Sequence, residues 1–237
     1  MGSTYYYTGY ADDDGNFEFA DVRAATYGLQ AWSAGGALAD VSTTFLKNDV
    51  SVTAGEASTT ALGDLTWAVS SRKRLFQVGD FDRHSYGFQH GGAPWQHALV
   101  AECPADLVYR VGCSRPEDWC FGQSLQGNWT VEFRVGEEPS AAARDATLIV
   151  SLAGYSSGTS STIWANGHEI GNLTSGSTNL ANDPCLYRSA TTAGEWRYFE
   201  FPFDAGILKK GSNAVTFQLT RNTTWHGFMW DSVILEW

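Results

Sequence analysis

The sequence predicts an all-β protein made of two β-sandwiches in series, the first small and fibronectin-III-like, the second a jelly roll of the carbohydrate-binding-module kind. Apolar and polar side chains alternate with a period of two through Thr162–Ile170, Trp196–Phe203, Ala214–Leu219 and Phe228–Trp237, the pattern of strands with one buried and one wet face. The intervening turns are rich in Asn and Gly. No segment sustains a helical period, and neither internal repeats nor low-complexity tracts appear.

Residues 1–70 form the first predicted unit. Tyr5 to Ala11 and Phe17 to Phe19 read as strands around the turn Asp12-Asp-Asp-Gly-Asn16. Val22 to Trp32, Val50 to Val52 and Ala61 to Trp67 supply the rest. The acidic turn begins like a calcium loop, but the closing Glu of an EF-hand is missing. Asp and Gly are what β-turns prefer, so a hairpin turn is the expectation. Arg72-Lys-Arg74 marks the junction and reads as a solvated linker.

Residues 71–237 form the second unit. Asn166-Gly167, set between Ile163-Trp164 and Glu169-Ile170, is the strongest hairpin signal in the chain, because a type I′ turn needs φ > 0 at both central positions. Lys210-Gly-Ser-Asn213 marks another turn. Strict alternation puts Phe228, Trp230 and Ile234 on one face of the last strand and Asp231, Val233 and Leu235 on the other. Large residues on both faces predict a central, covered strand.

Composition narrows the function. The 237 residues carry a formal charge of −11 with only four lysines, which argues against nucleic acid, whose recognition needs clustered cations. No apolar run approaches the roughly 18 residues of a membrane span. Met1-Gly-Ser3 opens directly into polar, aromatic sequence, with no leader visible. Cys103, Cys113, Cys120 and Cys185 form no CxxC pair, so disulfides and an extracellular, secreted protein are expected. Cys113 to Cys120 is the preferred pairing on loop length. Asn128-Trp-Thr, Asn172-Leu-Thr and Asn222-Thr-Thr are glycosylation acceptors.

Catalytic signatures are missing: there is no GxSxG elbow, P-loop, HExxH or dinucleotide fingerprint. His84, His90 and His97 are spaced irregularly in a Gly-rich loop region and read as loop histidines rather than zinc ligands. Lys47, Lys73, Lys209 and Lys210 fall in a predicted loop, linker or turn, not in a site that would make one a base. Ten tryptophans in an acidic chain instead point to sugar binding, since a flat aromatic face matches the apolar face of a pyranose. Trp95, Trp119, Trp164, Trp196 and Trp225 are the candidate rings, with at most two of them exposed.

Seven stretches in order carry a family resemblance: Phe76-Gln-Val-Gly-Asp-Phe-Asp-Arg83, Leu107-Val-Tyr-Arg-Val-Gly112, Asp118-Trp-Cys-Phe-Gly-Gln123, Trp164-Ala-Asn-Gly167, Asn182 with Tyr187-Arg-Ser189, Leu208-Lys-Lys-Gly-Ser-Asn213 and Gly227-Phe-Met-Trp-Asp231. Together they resemble the C-terminal domain of rhamnogalacturonan lyases of polysaccharide lyase family 4. The first unit, through its Asp-x-Asp-Gly-x-Phe turn and Ala25-Thr-Tyr27, is similar to the fibronectin-III-like middle domain. The resemblance implies an accessory, carbohydrate-binding region without the family's catalytic lysine and histidine. It implies a pectic polysaccharide as partner, rhamnogalacturonan I or its side chains, together with a lyase catalytic domain. A structural calcium near Asp231, and Arg83 and Arg188 facing uronic carboxylates, are implied in the same way; for Arg83 and Arg188, pairing with Asp82 or Asp183 stays open. An active lyase with a rearranged site and a purely structural spacer are the alternatives.

Overall fold

The computed structural model describes residues 7, 9–34, 44–66, 72–92, 97–139, 145–155, 159–174, 197–221 and 227–237. In the first unit β1 (Ala25–Ala34) and β2 (Thr44–Ala54) pair antiparallel, Tyr27 opposite Val52, with a register shift between Leu29 and Ala31. The acidic stretch closes as an Asp-led turn but not as the expected hairpin, because neither residues 9–11 before it nor Phe17–Phe19 after it form a strand. Asp12 Oδ1 accepts from Asp14 N at 3.0 Å and Asn16 N at 2.7 Å, and Gly15 takes φ 83°. Hydrogen bonds from the Asn16 side-chain amide, then from its backbone N–H, hold the Asp12 carboxyl below its ordinary range. Residues 61–66 form no strand either.

The second unit is a sandwich of two five-stranded sheets. One runs β10 (Arg197–Asp204), β7 (Asp145–Tyr155), β12 (Phe228–Glu236), β3 (Arg74–Val78), with the short β5 (Gly122–Gln123) also on β12. The other runs β4 (Leu107–Arg110), β6 (Gly127–Val135), β11 (Gly211–Arg221), β8 (Ser160–Ala165), β9 (His168–Thr174), antiparallel except for β4 on β6. Three 3-10 turns are the only helical pieces among the described residues.

The β8–β9 hairpin closes on Asn166 at φ 48° and Gly167 at φ 83°, both positive as a type I′ turn demands. Asn166 also ties this turn to the next: its Nδ2 donates to Asn213 Oδ1 at 2.8 Å and to Ile207 O at 2.9 Å, while its Oδ1 accepts from Ala214 N at 3.0 Å. Buried Asn213 closes its own turn by donating to Lys209 O and Gly211 O and accepting from Lys209 N.

The core is aromatic. Trp119, Trp129 and Trp230 are fully buried and meet edge-to-face or stacked, with centroids 5.0–6.2 Å apart, and Phe217 lies 4.8 Å from Trp230. Strand β12 is central and buried along its whole length, as predicted. Its alternation, however, breaks: Trp230 pairs with Leu152 and Ser232 with Ser151, leaving Asp231 as an extra residue in a bulge. Trp230, Val233 and Leu235 therefore share the core, and Ile234, opposite Ile149, is buried outside that cluster. A one-residue slip moves side chains to the opposite face.

The disulfide joins Cys103 to Cys120, with Cα atoms 5.8 Å apart, and Cys113 is free and exposed. This corrects the expected 113–120 pair. Cys113 sits on the exposed turn after β4, whereas Cys103 and Cys120 both enter the core. Cys185 lies outside the described residues.

Candidate functional site

The segment that follows β3 is held as a rigid platform. Gly79 turns at φ 77°, where a Cβ would overlap the Asp231 carbonyl and the Phe88 ring. The bulge aims the Asp231 carboxylate back at this loop. Its Oδ1 accepts from Asp82 N at 3.1 Å and Arg83 N at 2.9 Å, and its Oδ2 accepts from the Ser151 hydroxyl. Ser85 Oγ donates to Trp230 O at 2.6 Å. Further along, Gln89 N donates to Trp119 O at 2.9 Å, and Gln89 O accepts from Phe121 N at 3.0 Å. The chain from Gly79 to Gln89 is thus fastened to β12 and to the disulfide strand.

Between these anchors two rings are left outside. His84 and Tyr86 stack with centroids 4.7 Å apart and planes inclined by 22°, and Tyr86 is 54% exposed. Arg83, half-buried at φ 71°, precedes them. Sequence reading took His84 as a loop histidine and passed over Tyr86. No spacing rule marked the pair, because His84 to Gly87 runs through bends and a turn between two residues of positive φ, Arg83 and Gly87.

Burial, reinforced by the neighbouring Asp82 carboxylate, raises the Asp231 carboxyl far above the carboxylate range, to about 8; the Ser151 hydroxyl and the Asp82 N–H oppose that rise. Around Asp231 stand the N–H groups of Asp82 and Arg83, the Ser151 hydroxyl and a second carboxyl, the side chain of Asp82. Among the described residues no cluster of three or more His, Cys, Asp or Glu is arranged to hold a metal. Asp231 pins the loop through these bonds, and the calcium expected near it is not tested by them.

The remaining predicted residues separate. Trp119 is fully buried against Tyr109, Trp129 and Trp230 and offers no face to a ligand, because the second unit's core is built from its tryptophans. Trp164 stands on the outer face of β8, half-buried, and donates from Nε1 to Gln218 Oε1 at 3.3 Å. Trp95, Arg188, Trp196 and Trp225 lie outside the described residues. Of the expected residues that are described, Arg83 and Asp231 come together. His90 pairs with Glu102 at 3.3 Å, away from any metal cluster.

Residues 74–235 match the sequence model of polysaccharide lyase family 4, domain III. The chain belongs to polysaccharide lyase family 4. Residues 2–60 match domain II of the same family, so the two units correspond to domains II and III in order. A rhamnogalacturonate lyase of Dickeya dadantii is 28% identical over 91% of this chain and 36% of its own length. A probable rhamnogalacturonate lyase B of Aspergillus niger is 27% identical over 94% of this chain and 37% of its own length. The chain thus spans little more than a third of these relatives. Among solved structures, a family 35 carbohydrate binding module from an environmental isolate matches 47% of this chain and 66% of its own, with 14% identity and a TM-score of 0.31. The sequence resemblance to family 4 and the all-β expectation are both met, and a carbohydrate-binding or accessory role accords with domains II and III.

Proposed function

We propose that this chain is a non-catalytic carbohydrate-binding region that holds a rhamnogalacturonan lyase catalytic domain on pectic rhamnogalacturonan I, outside the cell. The observation that carries the reading is the exposed His84–Tyr86 pair on a loop fastened at both ends to the core. A rigid aromatic platform binds a ring without first having to order itself, so little of the contact energy is lost to immobilisation. Arg83 beside the rings supplies positive charge for a uronic carboxylate in an otherwise acidic protein. The buried Cys103–Cys120 bridge supports an oxidising, extracellular setting. Among the described residues no helix is long and apolar enough to cross a membrane.

Affinity electrophoresis in gels cast with rhamnogalacturonan I tests the reading. Retardation is expected for the whole chain, and Tyr86→Ala should weaken it by about tenfold, equivalent to about 1.4 kcal/mol. Unchanged mobility in every glycan would refute binding and leave the spacer role. Growth of the unsaturated-uronate absorbance with this chain alone would refute the non-catalytic part. Lys73, Lys209 and Lys210 lie exposed, while Lys47 falls within β2 and not in a loop, linker or turn.

A further inference from the structure

The outer face of the β4-β6-β11-β8-β9 sheet bears a second array that the loop reading leaves unused. Alternation turns Thr162 and Trp164 of β8, Thr216 and Gln218 of β11, and Asn128 and Thr130 of β6 away from the core, while Ile163, Phe217 and Trp129 point inward and are buried. Register lines these up in two parallel rows across three strands. Trp164 lies opposite Thr216, which lies opposite Thr130; Thr162 lies opposite Gln218, which lies opposite Asn128. With strands about 4.8 Å apart, each row crosses about 10 Å of sheet.

These side chains are already oriented. Trp164 Nε1 donates to Gln218 Oε1 at 3.3 Å, which fixes the indole and leaves the Gln218 amide its two N–H donors. The Thr130 and Thr216 hydroxyls bond each other at 3.0 Å. None of the six residues is charged. Charge begins at the margins: Glu169 lies opposite Trp164 on β9, Asp106 Oδ1 accepts from Asn128 N at 2.8 Å, and Glu132 is paired with Arg110 at 2.9 Å.

We infer that this face is a glycan site separate from the His84–Tyr86 loop, and that its occupant is a neutral oligosaccharide. Amide and hydroxyl groups donate and accept in both directions, as sugar hydroxyls do, and the indole supplies a flat apolar surface for one pyranose. The flanking Glu169 and Asp106 and the net charge of −11 oppose a polyuronate here, and none of the six side chains is a cation that offsets that repulsion. The inference does not depend on the loop, because no residue is shared. Asn128 is both a member of the face and a glycosylation acceptor, so a glycan attached there covers the site.

The test is calorimetric titration of the full chain, made in a host without N-glycosylation, with a neutral galacto-oligosaccharide and with an oligogalacturonate of equal length. Trp164→Ala, Gln218→Leu and Tyr86→Ala are compared with the wild type. The neutral ligand should bind the wild type and Tyr86→Ala equally, and should lose at least tenfold in affinity with Trp164→Ala and Gln218→Leu. If Trp164→Ala fails to fold, Gln218→Leu alone decides. The inference is overturned if the neutral ligand does not bind, if both sheet variants bind it as the wild type does, or if Trp164→Ala and Gln218→Leu weaken the oligogalacturonate instead. Failure of the loop reading is seen separately, as retardation by rhamnogalacturonan I that Tyr86→Ala leaves intact.

Discussion

Asn213→Asp changes one NH2 group to an oxygen without changing shape, at a position only 4% exposed. In the native protein that amide nitrogen donates to Lys209 O at 2.7 Å and Gly211 O at 3.0 Å, while its oxygen accepts from Lys209 N at 2.9 Å and Asn166 Nδ2 at 2.8 Å. The aspartate loses both donated bonds, each worth about 1 kcal/mol, and sets a charged oxygen against two carbonyls. Stronger bonds from the two remaining donors return part of that loss. The net destabilisation at neutral pH is about 3 kcal/mol. Protonation restores one donor, so the folded protein raises the carboxyl's pKa. A group with a raised folded pKa contributes its stability at low pH and loses it as pH rises. The deficit should therefore shrink to about 1 kcal/mol in mild acid. Asn213→Ala, which loses all four bonds, should show a similar deficit that acid does not reduce. Urea denaturation followed by fluorescence of the Trp119–Trp129–Trp230 cluster, at neutral and mildly acidic pH, gives both numbers as differences from wild type. An Asn213→Asp protein as stable as wild type at neutral pH, or a deficit that grows on acidification, would refute the reasoning.

Replacing Cys103 and Cys120 by Ala frees a loop of sequence separation 17 and should cost about 3 kcal/mol of unfolding free energy; peptide mapping that joins Cys113 to Cys120 would contradict the premise. Asp231→Asn should flatten a loss of stability that the wild type shows as pH climbs from the ordinary carboxyl range to about 8, because over that span the unfolded chain ionises while the buried carboxyl stays protonated. Thermal melts across that window decide it, and identical profiles for both proteins count against it. Trp119→Ala should remove about 3–5 kcal/mol through its core cavity. It should leave rhamnogalacturonan I affinity unchanged while the domain is folded; lost binding by a folded variant would return Trp119 to the site.

Local chemistry was legible wherever one residue's conformation settles the matter. Asn166-Gly167 had to turn because both positions need φ > 0, and Asp12 to Asn16 closed as an Asp-led turn for the same local reason. Strand β7 was harder to read: Ala146 to Tyr155 is buried on both faces, so the alternation that announces a half-wet strand is missing. The platform was harder still. Tyr86 looked like any loop aromatic, and its rigidity comes from Asp231, which is 145 positions or more away along the chain from the groups it and Trp230 hold.

The sequence by itself determined the all-β class, the place of its sharpest turn and the central position of the last strand, since each follows from residue type and spacing; the family came from its resemblance, motif by motif, to known lyases. Tertiary structure alone decided which cysteine joins Cys120, which tryptophan faces water and where Asp231 points. The physical reason is that burial and pairing depend on what arrives from the opposite sheet. A single bulge in β12 reassigned the faces of every residue beyond it and aimed a carboxylate at a loop, which period-two alternation could not foretell.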